Sequence, residues 1–171
     1  MQKVEKGEYE KPEEAINILL FLENTRRYFQ AIAASFRADL DLDLGGFIPE
    51  KDELFVAGDE ELLFSAFSNL LLNAIEVSCP GDRIVVSLHT TEPRVWIRIF
   101  NPKAIPAHIR SRFGQKYITA GKADGTGLGV YSARSIVEAM DGTFSWESGR
   151  EGTTVELSLS LIHISEPTRP Y

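Results

Sequence analysis

The chain has 171 residues, a net charge of −7, 43% hydrophobic and 25% charged residues, the make-up of one globular domain with a packed core rather than a disordered chain. The acidic balance argues against a nucleic-acid partner held through phosphate neutralisation, and the single cysteine, Cys79, excludes an internal disulfide framework or a Cys-based zinc cage. No apolar run is long enough to span a bilayer and the charged start from Met1 to Pro12 is unlike a signal, so this piece is expected to be cytoplasmic and to make no membrane contact of its own.

Residues 1–12 carry charge without apolar periodicity and read as a linker from an upstream region of a longer protein. From Ala15 to Ala34, Ile16, Leu19, Leu20, Phe29, Ile32 and Ala33 recur at helical spacing, which predicts one long amphipathic helix. Phe36 to Leu44 then alternates apolar and polar residues, the period of a half-buried strand, and Gly45-Gly46 ends it. Leu54 to Ala57 is a short second strand, with Asp59 the N-cap of a helix running to about Ser78. Ile84 to Thr90 and Arg94 to Phe100, rich in β-branched and aromatic residues, predict adjacent antiparallel strands. Pro106 to Phe113 reads as a short helix, and Gly114 to Gly125, glycine-rich and poor in apolar anchors, as a mobile loop. Leu128 to Met140 is a helix stopped by Asp141-Gly142, and Thr143 to Ser148 with Thr153 to about Ser158 form a last hairpin. The class is α+β, a mixed, mostly antiparallel sheet covered on one face by helices.

The domain is therefore expected to occupy 13–158. Residues 159–171, beginning Leu159-Ser160-Leu161-Ile162-His163-Ile164, look like a translated sequencing adapter and are read as a non-native tail.

The helix after Asp59 is apolar almost all round, yet Asn69, Asn73 and Glu76 sit at i, i+4 and i+7 and share one face. The stripe could be a solvent face; alternatively its amide oxygens are neutral, hard ligands suited to Mg²⁺. Gly125-Thr126-Gly127-Leu128-Gly129 opens a helix with glycines at alternate positions, where backbone N–H groups can approach a phosphate. It is neither a Walker loop, since no Gly-Lys-Ser/Thr follows, nor a dinucleotide fingerprint, since no apolar strand precedes it. Asp39, Asp41, Asp43 and Glu50 mimic a calcium loop, but Leu44 stands where the sharp turn requires glycine. The histidines His89, His108 and His163 show no metal-ligand or triad spacing.

Taken together, Asn69 to Glu76, Asn101 to Pro106, Arg112 to Tyr117 and Gly125 to Gly129 resemble the N, first-glycine, F and second-glycine boxes of one family. It is the ATP-binding domain shared by sensor histidine kinases, gyrase, the heat-shock chaperone and mismatch-repair ATPases, with the histidine kinase catalytic domain the nearest likeness. The resemblance implies a two-layer Bergerat-type sandwich with an ATP lid, and ATP and Mg²⁺ as cofactors. Asn73 would be the metal ligand and Asn69, one turn earlier, would sit beside the phosphates; these two are the candidate catalytic residues. Glu76 completes their stripe. Gly125, Thr126, Gly127, Leu128 and Gly129 would border the triphosphate, with Lys116 and Lys122 reaching it from the lid, Gly114 to Asp124.

Thr153 would contact adenine, and Ile105 belongs to the first glycine box, where the sequence departs from the family. A usual pattern there is Asp-Asn-Gly-x-Gly-Ile-Pro; here Phe100-Asn101-Pro102-Lys103-Ala104-Ile105-Pro106 has neither glycine nor the aspartate. Strand alternation puts Asn101 on the inward face with Val95, Ile97 and Ile99, and Phe100 on the other, so Asn101 is expected to read the base. Losing the aspartate's charge should weaken binding by about 1 kcal/mol.

The family's water-activating Glu is replaced by Asn69, which favours phosphoryl transfer over hydrolysis. The implied partners are a histidine-bearing dimerisation domain upstream in cis and a response regulator, with the full-length protein membrane-anchored or not. Rival readings are an anti-sigma-type serine protein kinase and a non-catalytic scaffold module.

Overall fold

A computed structural model describes residues 14–113, 115 and 129–164. Strand β1 (Ala15–Asn17) leads straight into helix α1 (Ile18–Ser35), whose N-terminus is capped by the Asn17 side chain accepting from the Leu20 N–H. The expected helix from Ala15 is thus shortened by three residues, because Ile16 buries itself by pairing with Val56 across a sheet edge. Phe36 to Ala38 form the C-terminal turn of α1, with Ala38 N–H returning to Ala33 O at 3.0 Å. Strand β2 therefore starts only at Asp39 and runs to Asp43, later than alternation alone suggested.

Strand β3 (Phe55–Ala57) is followed by α2 (Glu60–Glu76), where Asp59 accepts from the Leu62 N–H at 3.1 Å, the predicted cap. Strands β4 (Arg83–Thr91) and β5 (Arg94–Asn101) are the predicted antiparallel pair. The expected helix over 106–113 is a tight turn with a single 3-10 segment at Arg110–Arg112; its N–H groups reach three residues back, as from Arg112 to Ile109 O, and it seats Ile109 and Phe113 in the core. Helix α3 (Gly129–Ala139), β6 (Thr143–Gly149) and β7 (Gly152–Ile162) complete the described chain.

The strands form one seven-stranded sheet in the order β1-β3-β7-β5-β4-β2, with β6 also paired to β7. Among the described strands only β2 with β4 is parallel. Registers align the apolar positions on one face: Ile97 lies opposite both Leu88 and Leu157, and Ile99 opposite Val86 and Val155. That face and the buried sides of the helices, among them Leu63, Phe67 and Leu71 of α2 and Ile136 and Val137 of α3, make the core. The other face is open and carries polar pairs, with Arg98 bonded to Glu156 at 2.5 Å and His89 stacked on Trp96. Asp41, one of the mock calcium ligands, pairs with Arg83 across the β2–β4 ladder.

Strand β7 continues to Ile162 instead of ending near Ser158. Leu159 is buried opposite Val95, and Leu161 and Ile162 pair with Val56 and Phe55 of β3.

Candidate functional site

Where α2, the ends of β5 and β7 and the loop after β5 converge, they enclose a cavity of about 240 Å³. Asn73 and Ala74 of α2 and Val77 just after it line one side, and Asn101, Lys103, Ile105, Phe113 and Thr153 the others. Inward alternation brings Asn101 there: it ends the buried series Val95, Ile97, Ile99 and pairs with Thr153, the two being only 8% and 4% exposed. The Asn101 carboxamide makes no hydrogen bond among the described residues. Its amide atoms are not sealed from solvent, since the one side-chain polar atom among the described residues that is buried with no partner is Arg110 Nε, so the carboxamide can exchange water for a polar ligand entering the cavity.

The rest of that wall is saturated. Thr153 donates its hydroxyl proton to Lys103 O at 2.6 Å, and Ser148 Oγ accepts from the Ile105 N–H at 2.7 Å. Because Thr153 has already spent its one proton, the 3.0 Å contact between the two hydroxyls is Ser148 donating to Thr153. This chain of bonds fastens the loop 103–105 to the β6–β7 hairpin. A second tie runs from Lys103 Nζ to Asp82 Oδ2 at 3.3 Å, and Asp82 Oδ2 also accepts from the Cys79 N–H at 2.7 Å. The Cys79 N–H is the main reason the Asp82 carboxyl sits below the usual carboxylate range; burial opposes it, and the hydrogen bond and charge of Lys103 add to the lowering. The Lys103 ammonium is held above its ordinary pKa by the Cys79 side chain and then by Asp82. Arg110 reaches the same loop, donating to Ile105 O at 3.2 Å, while its buried Nε has no partner.

Asn69 stands one helical turn before Asn73, at the start of α3: a Cβ on Gly129 would lie 3.8 Å from Asn69 Cβ and 3.9 Å from its Oδ1. The open N–H groups of a helix start favour an anion there. Asn73, Asn101, Ile105 and Thr153 are thus brought around one cavity, with Asn69 and Gly129 beyond it towards α3. Glu76 lies on the same helix but is exposed and lines no part of the cavity. Lys116, Lys122, Gly125, Thr126, Gly127 and Leu128, with all of the expected lid except Gln115, fall outside the described residues. Among the described residues no three His, Cys, Asp or Glu side chains cluster to hold a metal.

Sequence reasoning missed Ser148, Lys103 and Arg110. Ser148 had a usable signal, since it follows Phe144 and Trp146 on the inward face and lies opposite Thr153. Lys103 and Arg110 had none, because their partners Asp82 and Ile105 are brought near by loop geometry. Phe113 was read only as part of the F box; it packs edge-to-face on Trp146, with ring centroids 5.4 Å apart.

Residues 58–163 match the sequence profile of the histidine kinase-, DNA gyrase B- and HSP90-like ATPases. The chain is 32% identical over 138 residues to the sensor histidine kinase CusS of Escherichia coli K12, covering 77% of this chain and 27% of that protein. Identity to CusS of Escherichia coli O157:H7 is 37% over 108 residues, covering 60% of this chain and 22% of that protein. The chain thus spans about a quarter of the length of these curated relatives. Among solved structures, the mycobacterial sensor histidine kinase MprB superposes with a TM-score of 0.73 at 19% identity, over 86% of this chain and 98% of that one. Histidine kinase ThkA in complex with the response regulator TrrA gives 0.70 at 17% identity, over 86% and 41%.

Proposed function

We propose, since the chain belongs to the histidine kinase-, DNA gyrase B- and HSP90-like ATPase family, that it is the ATP-binding catalytic domain of a two-component sensor histidine kinase. It would act on a histidine of a separate dimerisation domain, with a response regulator as the eventual acceptor. The observation that carries the reading is the Asn101 carboxamide, without a hydrogen bond among the described residues, at a cavity whose opposite wall presents Asn73. The donor set fits a nucleotide: one wall offers amide and hydroxyl groups to a base, and an amide oxygen one turn from a helix start suits a hard cation and phosphate.

Bound Mg·ATP would supply the phosphoryl group and the charge that neutralises it. The chain's own part is positioning, which is most of what phosphoryl transfer needs. Asn101 and Thr153 orient the base, and the Ser148–Thr153–Lys103 bonds keep that wall from moving. Val77, Ile99 and Phe113 give the cavity an apolar lining against which a base can pack. Asn73 is assigned to the metal and Asn69, against Gly129, to the phosphates; Gly125 to Leu128, Lys116 and Lys122 are assigned to the triphosphate and lid, and Glu76 to the outer end of the α2 stripe. With an amide at position 69 the site has no carboxylate there to activate water, in keeping with transfer. The sensor kinases among the relatives favour this reading over an anti-sigma serine kinase or a scaffold. Among the described residues no helix is long and apolar enough to cross a membrane, and we place this domain on the cytoplasmic side of a parent that is membrane-anchored.

Titration with ATP in the presence and absence of Mg²⁺ tests the assignment of Asn73. Asn73→Ala should weaken Mg·ATP by about tenfold, roughly 1.4 kcal/mol, and leave metal-free ATP nearly unchanged. Equal losses in the two titrations would make Asn73 a structural residue only.

A further inference from the structure

We infer that the nucleotide site takes guanine as well as adenine, because the side chain that meets the base is a cavity-facing carboxamide that no hydrogen bond among the described residues holds in one orientation. The inference rests on the nucleotide-binding reading above and names the substrate class of the same site. Asn101 is 8% exposed, faces the cavity, and has no hydrogen bond among the described residues to fix which end of its amide points inward. A carboxamide offers an acceptor, Oδ1, and a donor, Nδ2, side by side. With Oδ1 toward the 6-amino group and Nδ2 toward N1, it satisfies adenine. Turned over, Nδ2 meets the 6-oxo group of guanine and Oδ1 accepts from N1–H. Turning costs no hydrogen bond among the described residues.

The neighbouring groups do not restore selectivity. The Thr153 proton is committed to Lys103 O and the Ser148 proton to Thr153, so what these hydroxyls have left for a base is accepting capacity. An acceptor suits the amino group of either purine, at C6 of adenine or C2 of guanine. A carboxylate at position 101 would behave differently: it could only accept, matching the 6-amino group and facing the 6-oxo oxygen with lone pairs. Polar mismatches of that kind in a desolvated pocket discriminate strongly, whereas a group that can present either polarity does not.

The test is calorimetric titration of the whole chain with the Mg²⁺ complexes of ATP, GTP and ITP, the last carrying the 6-oxo and N1–H edge without the 2-amino group. ATP and GTP are expected to bind within about tenfold of one another, with ITP close to GTP, and Asn101→Asp should shift the ratio of ATP to GTP affinity towards ATP by more than about tenfold. ATP binding with GTP more than about a hundredfold weaker would overturn the inference and leave the ATP-binding reading standing. Binding of neither nucleotide would defeat both. Should Asn101→Asp lose its circular dichroism signature, Asn101→Ala decides: it should weaken ATP and GTP by similar factors, and a loss confined to ATP would overturn the inference.

Discussion

Incubated with Mg·ATP labelled in the γ position, the purified chain is expected to take up no acid-labile phosphate, and to support transfer once a cognate pair of histidine-bearing helices is supplied. None of its histidines can present a ring nitrogen in line with a phosphate at the site. His89 alternates with the buried Leu88 of β4, so it points to the open face of the sheet, where it stacks on Trp96 with centroids 6.2 Å apart. The cavity opens on the opposite, helix-covered side. His108 is exposed in the turn after Pro106, its carbonyl accepting from Arg112, and His163 follows the end of β7 beside Glu92. Orientation supplies a large part of the acceleration in group transfer, on the order of 7 to 11 kcal/mol when reacting atoms are held in place. A histidine on the wrong face of the sheet forgoes all of it, and the difference between the chain alone and the chain with its acceptor should be the difference between no signal and a clear one. Acid-labile label recovered on His89 or His108 would refute the separation of catalytic and acceptor parts.

Much of this arrangement was legible in the sequence, for reasons that differ between elements. Asp59 before an apolar run is a cap by local chemistry alone, and the side chain is found on the Leu62 N–H. Asn101 was placed inward by the period of its own strand, a signal that needs no partner. The Asn69–Asn73 stripe was visible because the rest of α2 is apolar, yet the stripe alone did not separate a site from a solvent face. In the fold Asn73 lines the cavity formed with β5 and β7, and Asn69 lies against Gly129 of α3. What was hidden depends on distant pairing. Strand β1 has three residues, too few for a period, and Ile16, Leu19 and Leu20 mimic a helix continued backwards. The extension of β7 to Ile162 follows from Val155, Leu157, Leu159 and Leu161 keeping one alternation while β3 and β5 offer edges to pair with. Any segment with that alternation would pair there, whatever encoded it. The Lys103–Asp82 and Ser148–Thr153 ties join loops and strands far apart in sequence, and single-strand patterns carry no trace of them.

Gly152→Ala is expected to be among the most damaging single-methyl changes in the domain, and to disturb the cavity wall that carries Asn101 along with stability. Gly152 opens β7 at φ +146°, a conformation that side chains rarely adopt, and its hydrogen stands where a Cβ would lie 2.2 Å from the backbone oxygen of Asn101. The same Cβ would be 2.8 Å from Pro102 Cα and 2.9 Å from Phe100 Cε2. Two of these neighbours are backbone atoms of the loop that carries Asn101, so relief requires the loop to move away from the hairpin. Moving it stretches the Asn101–Thr153 register and the Thr153 to Lys103 bond together. Backbone strain plus loss of such bonds amounts to about 2 to 4 kcal/mol, and in a chain of this length that lowers Tm by roughly 5 to 10 °C. Gly149 is the matched control, because it lies opposite Gly152 in the same hairpin and a Cβ there would meet nothing within 4 Å. Gly149→Ala should therefore leave both Tm and nucleotide affinity close to the parent. If Gly152→Ala melts like Gly149→Ala and binds ATP as the parent does, the close approach of the hairpin to Asn101 is not what holds that cavity wall in place.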